Sequence, residues 1–351
     1  MFWTNFGTML IELPGWLHQR ANYARTVTLV RYRKALGDTL MLSALARGVK
    51  RADPSLRLEI ACRRPELFLH NPNVDEVRGW HLWRTRWTAR PGYHAADMRS
   101  LEHVMEMQWW RLWTLLRENG YPVPFGQVPA HAGVHPELFL TEAETAAGRA
   151  QREALAGNKP LVLMASGGKR RPTHNREWGL VNYQAVADCL APHAAVAQVA
   201  GAGRLQQDGR PVADLRGRPV REVAALFVAA DALLLQEGGL HHLARAVNAP
   251  AVVIFGGAVL PGQTGYPEQV NLWNRTECSP CLAERRNCPH LKCMAPITPR
   301  RVLGCLGDLL AKRGFTLPGA AVEAAPGRWT KEEAPRAPDG DPQGTTAPRE
   351  S

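Results

Sequence analysis

No apolar run in these 351 residues approaches the ~20 that a bilayer-spanning helix needs, which excludes a chain built around helical membrane spans. The N-terminal stretch is rich in apolar side chains (Phe2, Trp3, Phe6, Met9, Leu10, Ile11, Leu13, Trp16, Leu17). It lacks a basic leader and a small-residue cleavage site and contains Glu12, so no signal peptide is expected. Acidic residues are the scarce charge, 32 against 43 basic, for a net charge of +11. Thr316 to Ser351 contributes 4 basic and 6 acidic residues, so the body ahead of it carries about +13. A body of that sign favours anionic partners, among them phosphorylated substrates, nucleic acid and anionic membrane surfaces. With 45% hydrophobic and 21% charged residues the composition is that of a globular chain, long enough for two domains. Of seven cysteines, Cys62, Cys189 and Cys305 lie in apolar contexts and read as free thiols, while the other four are clustered.

What is present is an alternation of short β-rich runs and amphipathic helices. Thr26 to Tyr32 and Leu56 to Cys62 read as strands, Leu40 to Val49 as a helix between them, and Asn71 to Val77 as a turn entering a third strand. Trp80 to Tyr121 holds six tryptophans; from Leu101 to Leu116 the apolar residues keep helical spacing, which predicts an amphipathic helix with most of its aromatics in the core. Trp83-Arg84-Thr85-Arg86-Trp87 is harder to bury and suits a substrate or membrane-surface contact. Beyond the Pro- and Gly-rich stretch from Tyr121 to His135, a helix is predicted from Glu142 to Leu155. Strands follow at Leu161 to Ala165, Ala194 to Ala200, Ala232 to Gln236 and Ala251 to Phe255. Helices follow at Trp178 to Leu190, Arg221 to Ala229, Leu240 to Val247 and Pro299 to Leu310. Such alternation predicts an α/β chain with parallel, doubly wound sheets and ligands beyond the strands' C-terminal ends. The expected divisions are an aromatic segment 1–25, domains at 26–135 and 136–317, and a proline-punctuated, disordered tail at 318–351.

Every polar candidate follows a strand end. Gly238 and Gly239 fall where a strand passes into a helix, where backbone N–H groups lie open to a phosphate, with His242 in the first turn; the simpler alternative is a tight turn. Cys278-x2-Cys281-x6-Cys288-x4-Cys293 has the count of a four-thiolate structural site, most often zinc; an iron–sulfur cluster or unliganded thiols are the alternatives, since Cys281 to Cys288 is short for a zinc ribbon. In a cytosolic chain disulfides are not expected. The tryptophans keep helical rather than sheet-platform spacing, so nucleic acid is not an expected partner.

In this order, Leu36-Gly37-Asp38, Asn71-Pro72-Asn73-Val74-Asp75-Glu76-Val77, Glu237-Gly238-Gly239-Leu240-His241-His242-Leu243-Ala244, and Phe255-Gly256-Gly257 before the cysteine cluster resemble glycosyltransferase family 9, the heptosyltransferase family of lipopolysaccharide assembly. The resemblance spans about Thr26 to Leu310. It implies a GT-B fold, two Rossmann-like domains facing across a cleft, and inverting, metal-independent transfer from a nucleoside diphosphate sugar, ADP-heptose foremost. Asp38 matches the family's catalytic base; as a purely structural residue it would cap the following helix. Gly238, Gly239, His242 and Gly256 match the donor site. Glu237 and Gly238 stand where the family usually has an aspartate and a small hydroxyl residue, and Arg176 where it usually has a phosphate-contacting lysine. Ser166, Lys169, Arg170 and Arg171 make the loop after the first strand of the second domain strongly cationic, either as part of the donor side or as a solvated basic loop. The implied acceptor is a lipid-linked surface glycan, with the protein cytoplasmic and peripheral at the inner membrane and no catalytic cofactor. A nucleotide-sugar-binding module that has lost transfer is the alternative.

Overall fold

A computed structural model describes residues 26–31, 35–78, 87–92, 100–121, 133–167, 176–281, 288 and 290–330. The first half is built on a parallel sheet ordered β3-β2-β1-β4, from β1 (Thr26–Arg31), β2 (Arg57–Cys62), β3 (Glu76–Arg78) and β4 (Trp87–Ala89). The second carries a six-stranded parallel sheet ordered β12-β11-β10-β5-β6-β9, from β5 (Leu161–Ala165), β6 (Ala195–Ala200), β9 (Ala213–Asp214), β10 (Ala232–Gln236), β11 (Ala251–Ile254) and β12 (Val270–Leu272). A small antiparallel pair, β7 (Gln206–Gln207) and β8 (Arg210–Pro211), lies between β6 and β9. Helices cover both faces of such sheets, so the central strands are buried on both sides; even Thr26 and Thr28 of β1 are buried.

The predicted first helix begins earlier than expected. Residues Leu36–Leu40 form α1, followed after Met41 by α2 (Leu42–Ala52), so the Leu36-Gly37-Asp38 stretch is helical rather than a loop. Farther along are α3 (Val104–Glu118), α4 (Glu142–Ala156), α5 (Leu180–Leu190), α6 (Val220–Ala229), α7 (Gly239–Ala246), the single turn α8 (Pro261–Thr264) and α9 (Pro299–Ala311). In α3, Trp109 and Trp113 are buried as expected, whereas Trp110 is exposed. Leu101 is not part of that helix: His103 caps α3 by accepting from Met105 N–H, which leaves Leu101 outside it and exposed. Trp87 is not a surface residue either; it is buried in β4, edge-on to Tyr121. Trp83 to Arg86 and the segment 1–25 lie outside the described residues.

Of the tail expected to be disordered, residues 318–330 are ordered, and 331–351 lie outside the described residues. Residues Gly319–Ala324 form α10, and the chain then lies on α5: Trp329 Nε1 donates to Trp178 O at 2.9 Å, and Asn182 exchanges two hydrogen bonds with the Thr330 backbone. These bonds outweigh a local composition poor in helix and strand signals.

The two halves share an apolar core. One continuous buried cluster runs from Val27 and Leu29 through α1 and α2 to Leu243, Phe255 and Val259, and a second fills the far face of the larger sheet around Trp178, Tyr183, Ile254 and Leu306. Polar ties flank the first: Arg47 pairs with Glu137 and donates to Gly133 O and His135 O, while Arg221 of α6 reaches Glu66 O in the smaller half.

Candidate active site at the interdomain seam

The start of α1 meets the start of α7. A Cβ built on Gly37 would lie 2.4 Å from His242 Cδ2 and 3.2 Å from its Nε2, and one on Gly239 would lie 2.9 Å from Leu36 Cβ. Only a glycine at 37 lets the histidine ring come so near, which is the physical reason for a helix-disfavoured residue inside α1. Asp38 is therefore placed one residue from the ring edge of His242.

Asp38 is not the helix cap. The N-cap of α1 is Ala35, without a side-chain capping bond, and Asp38 lies within the first turn. Its carboxylate instead pairs with Arg31 at 2.8 Å, and Arg31, from the end of β1, also donates to Pro91 O at 3.0 Å. Strand, helix turn and the segment after β4 thus hold the carboxylate in one place. Arg31 had no signal in the sequence, because one arginine among many at a strand end looks like any other.

On the opposite side, Gly238 has φ 152° and ψ −163°, a conformation in practice open only to glycine, and its N–H donates to His241 Nδ1 at 2.9 Å. His241 Nε2–H in turn donates to Thr264 O at 2.8 Å. The glycine turn is thus fixed by the imidazole three residues on, which the sequence reading passed over in favour of His242. His242 itself has Nδ1 at 2.6 Å from the Tyr266 hydroxyl. His103, in the smaller half, joins this ring cluster 5.6 Å from Tyr266 and donates from Nε2 to Gly265 O; burial is the chief cause pulling its pKa down to about 4, so it is neutral near pH 7.

Glu237 follows β10 with its backbone N–H bonded to Ile254 O, and its nearly buried carboxylate pairs with Arg176 at 3.3 Å. Two of the residues that depart from the family pattern are thus paired with each other. Ser166 is buried behind the β5 loop, where its hydroxyl accepts from Gln198 Nε2 at 2.9 Å, so it braces that loop against β6. Gly256 is buried just beyond β11. Lys169, Arg170 and Arg171 lie outside the described residues.

Cys281, Cys288 and Cys293 lie near one another beside the loop after β11. Cys281 donates to Gly257 O at 3.1 Å; Cys293 approaches the same loop, its buried thiol pushed up in pKa and raised further by Cys281 and Cys288 nearby; Cys278 is turned to the Thr276 hydroxyl at 3.4 Å. Among the described residues no group of three His, Cys, Asp or Glu side chains is arranged to hold a metal ion.

No family profile matches the sequence, and no curated protein matches it. Solved structures do. The ADP-heptose lipopolysaccharide heptosyltransferase II of E. coli superimposes with a TM-score of 0.55 at 16% identity, over 82% of this chain and 99% of that one. A family 9 glycosyl transferase from Veillonella parvula gives 0.60 at 15%, over 83% and 98%. The iron-containing dodecameric glycosyltransferase TibC of enterotoxigenic E. coli gives 0.58 at 17%, over 82% and 77%. With its two parallel α/β sheets in sequence, the chain has the GT-B fold that these family 9 glycosyltransferase structures show.

Proposed function

We propose that this chain is an inverting, metal-independent glycosyltransferase that moves a heptose or related sugar from a nucleoside diphosphate, foremost ADP-heptose, to a lipopolysaccharide or other surface-glycan acceptor. The observation that carries the reading is the seam itself: a fixed carboxylate, Asp38, one residue from the point where Gly37 touches His242 of the glycine turn. In an inverting displacement the acceptor hydroxyl attacks the anomeric carbon as the bond to the diphosphate oxygen breaks on the opposite face. Asp38 takes the hydroxyl proton. The departing diphosphate gathers charge, and the N-terminus of α7, His242 and Arg176 offer donors and a cation for it. Arg31 fixes the direction of the Asp38 carboxylate. The fold shared with the E. coli ADP-heptose heptosyltransferase supports the choice of donor. Transfer of radiolabelled heptose from ADP-heptose to heptose-deficient lipopolysaccharide, with other nucleotide sugars screened alongside, tests the reading.

One observation favours a second reading. Arg176 is engaged by Glu237, so a donor phosphate must compete for it, as expected of a nucleotide-sugar-binding module without transfer. Binding of ADP-heptose without transfer to any acceptor supports that reading over the first.

We place the protein at the cytoplasmic face of the inner membrane, held peripherally. The charge of about +13 ahead of Thr316 supports this; each Lys or Arg near an anionic surface contributes about 1 kcal/mol, screened within a Debye length. No described helix is long and apolar enough to cross a membrane. Cosedimentation with anionic vesicles at low salt, weakening as salt rises, is the expected result; equal recovery in the supernatant with anionic and neutral vesicles contradicts it.

A further inference from the structure

Three imidazoles surround Tyr266, and the hydrogen bonds of two of them fix where their protons sit. His241 Nδ1 accepts from Gly238 N–H and His103 Nδ1 accepts from Met105 N–H, so each donates from Nε2, to Thr264 O and Gly265 O. His242 differs because its Nδ1 meets a hydroxyl, which can donate or accept. Tyr266 is buried, and burial drives its phenol pKa far above the ordinary range, so the hydroxyl keeps its proton. Among the described residues that hydroxyl has one polar partner, His242 Nδ1 at 2.6 Å. A buried phenol that only accepted would leave its own proton without an acceptor, a costly arrangement. The hydroxyl therefore donates, and the imidazole proton is on Nε2.

The consequence lies on the other edge of the ring. The Cδ2–Nε2 edge of His242 packs against Gly37, 3.2 Å from Nε2 to the position of a Cβ there, beside Asp38. We propose that Tyr266 is a positioning residue: it locks His242 in the Nε2–H form, so that the seam between the glycine turn and the Asp38 turn presents a proton donor, not a lone pair, to an anionic group bound there. Removing the hydroxyl frees the ring to move its proton to Nδ1 and to turn a lone pair toward that anion. The role rests on the glycosyltransferase reading for its purpose, since the anion would be the donor's diphosphate, but not for its geometry.

Side-chain 15N spectra of the full chain labelled at histidine decide it, with the His242 signals identified by their loss in His242→Gln. The native protein is expected to show a protonated, pyrrole-like Nε2 and a pyridine-like Nδ1 at His242. In Tyr266→Phe, which keeps the ring and its aromatic contacts, that pattern is expected to reverse or average while His103 and His241 keep theirs, and the Kd for ADP is expected to rise roughly five- to tenfold, the effect of one misdirected hydrogen bond. A protonated Nδ1 at His242 in the native protein, or an unchanged His242 pattern in Tyr266→Phe, overturns the proposal. If Tyr266→Phe does not fold, the native spectrum alone decides. Absence of sugar transfer with the expected tautomers would count against the glycosyltransferase reading and leave the role of Tyr266 standing.

Discussion

Asp38, Gly37 and His242 are three residues whose meaning changes when they are seen together. The glycine-aspartate pair was legible as a motif, and so was the histidine after the glycine turn, because each occupies a short run with its neighbours in sequence. Their contact was not legible, since it joins positions about two hundred residues apart and no local period encodes it. The same holds for Arg31 and for Tyr266, which lies 24 residues beyond His242. Gly37→Ala tests the contact directly: the added methyl would stand 2.4 Å from His242 Cδ2, far inside van der Waals range, so the ring or the whole of α1 must shift. Overpacking of this kind costs typically 1–3 kcal/mol, so urea denaturation should show a loss of about that size, with ADP affinity falling as well. A variant as stable as the native protein and with native ADP affinity would show that the two turns do not meet in solution.

At the level of elements, the β-rich runs and the helices of the second half were legible to within a residue or two, because burial on both faces of a parallel sheet leaves an unbroken hydrophobic signature, whereas the first-half helices near Leu40 and Leu101 were displaced by three residues or more. The two-residue strands β7, β8 and β9 carry no such signature, and neither does α10, whose end is held by Arg300 donating to Glu323 O and Ala325 O. The start of α4 was read correctly at Glu142, and its cap explains why: Thr141 and Glu144 form a reciprocal capping box. Arg221 of α6 adds a second tie, donating to Glu144 at 2.6 and 2.7 Å, and this pairing, with the Thr141 bonds, holds the Glu144 carboxyl down from 4.5 to about 2. Because the folded value lies below the unfolded one, the stabilisation is complete above pH 4.5 and is lost as pH falls toward 2. Glu144→Gln should therefore cost roughly 1–3 kcal/mol at pH 7, by loosening the cap and leaving Arg221 short of a partner, and that deficit should shrink as pH is lowered through this window. Parallel stability curves for the two proteins between pH 7 and pH 3 check it; a constant gap across that range contradicts the assignment.

For the molecule as a whole, the order of motifs along the chain carried the fold, whereas the expectation of two domains each with its own core did not anticipate the buried cluster that runs through both. On the proposed function a shared core matters because it would set the distance between Asp38, the proposed base, and the proposed diphosphate site, and misplacement of reacting groups by about 1 Å can cost 100-fold in rate. The described residues place α1 against α7 and the Asp38 carboxylate under the control of Arg31, a geometry suited to one proton abstraction at one seam. The most direct test of that account compares the native protein with Asp38→Asn, shown to be folded by its thermal unfolding curve, for heptose transfer from ADP-heptose and for ADP binding. The account predicts a kcat at least 100-fold lower with the Kd for ADP changed by less than about threefold, as expected when a base is lost and the donor site is kept. Turnover by Asp38→Asn within tenfold of the native rate would contradict it.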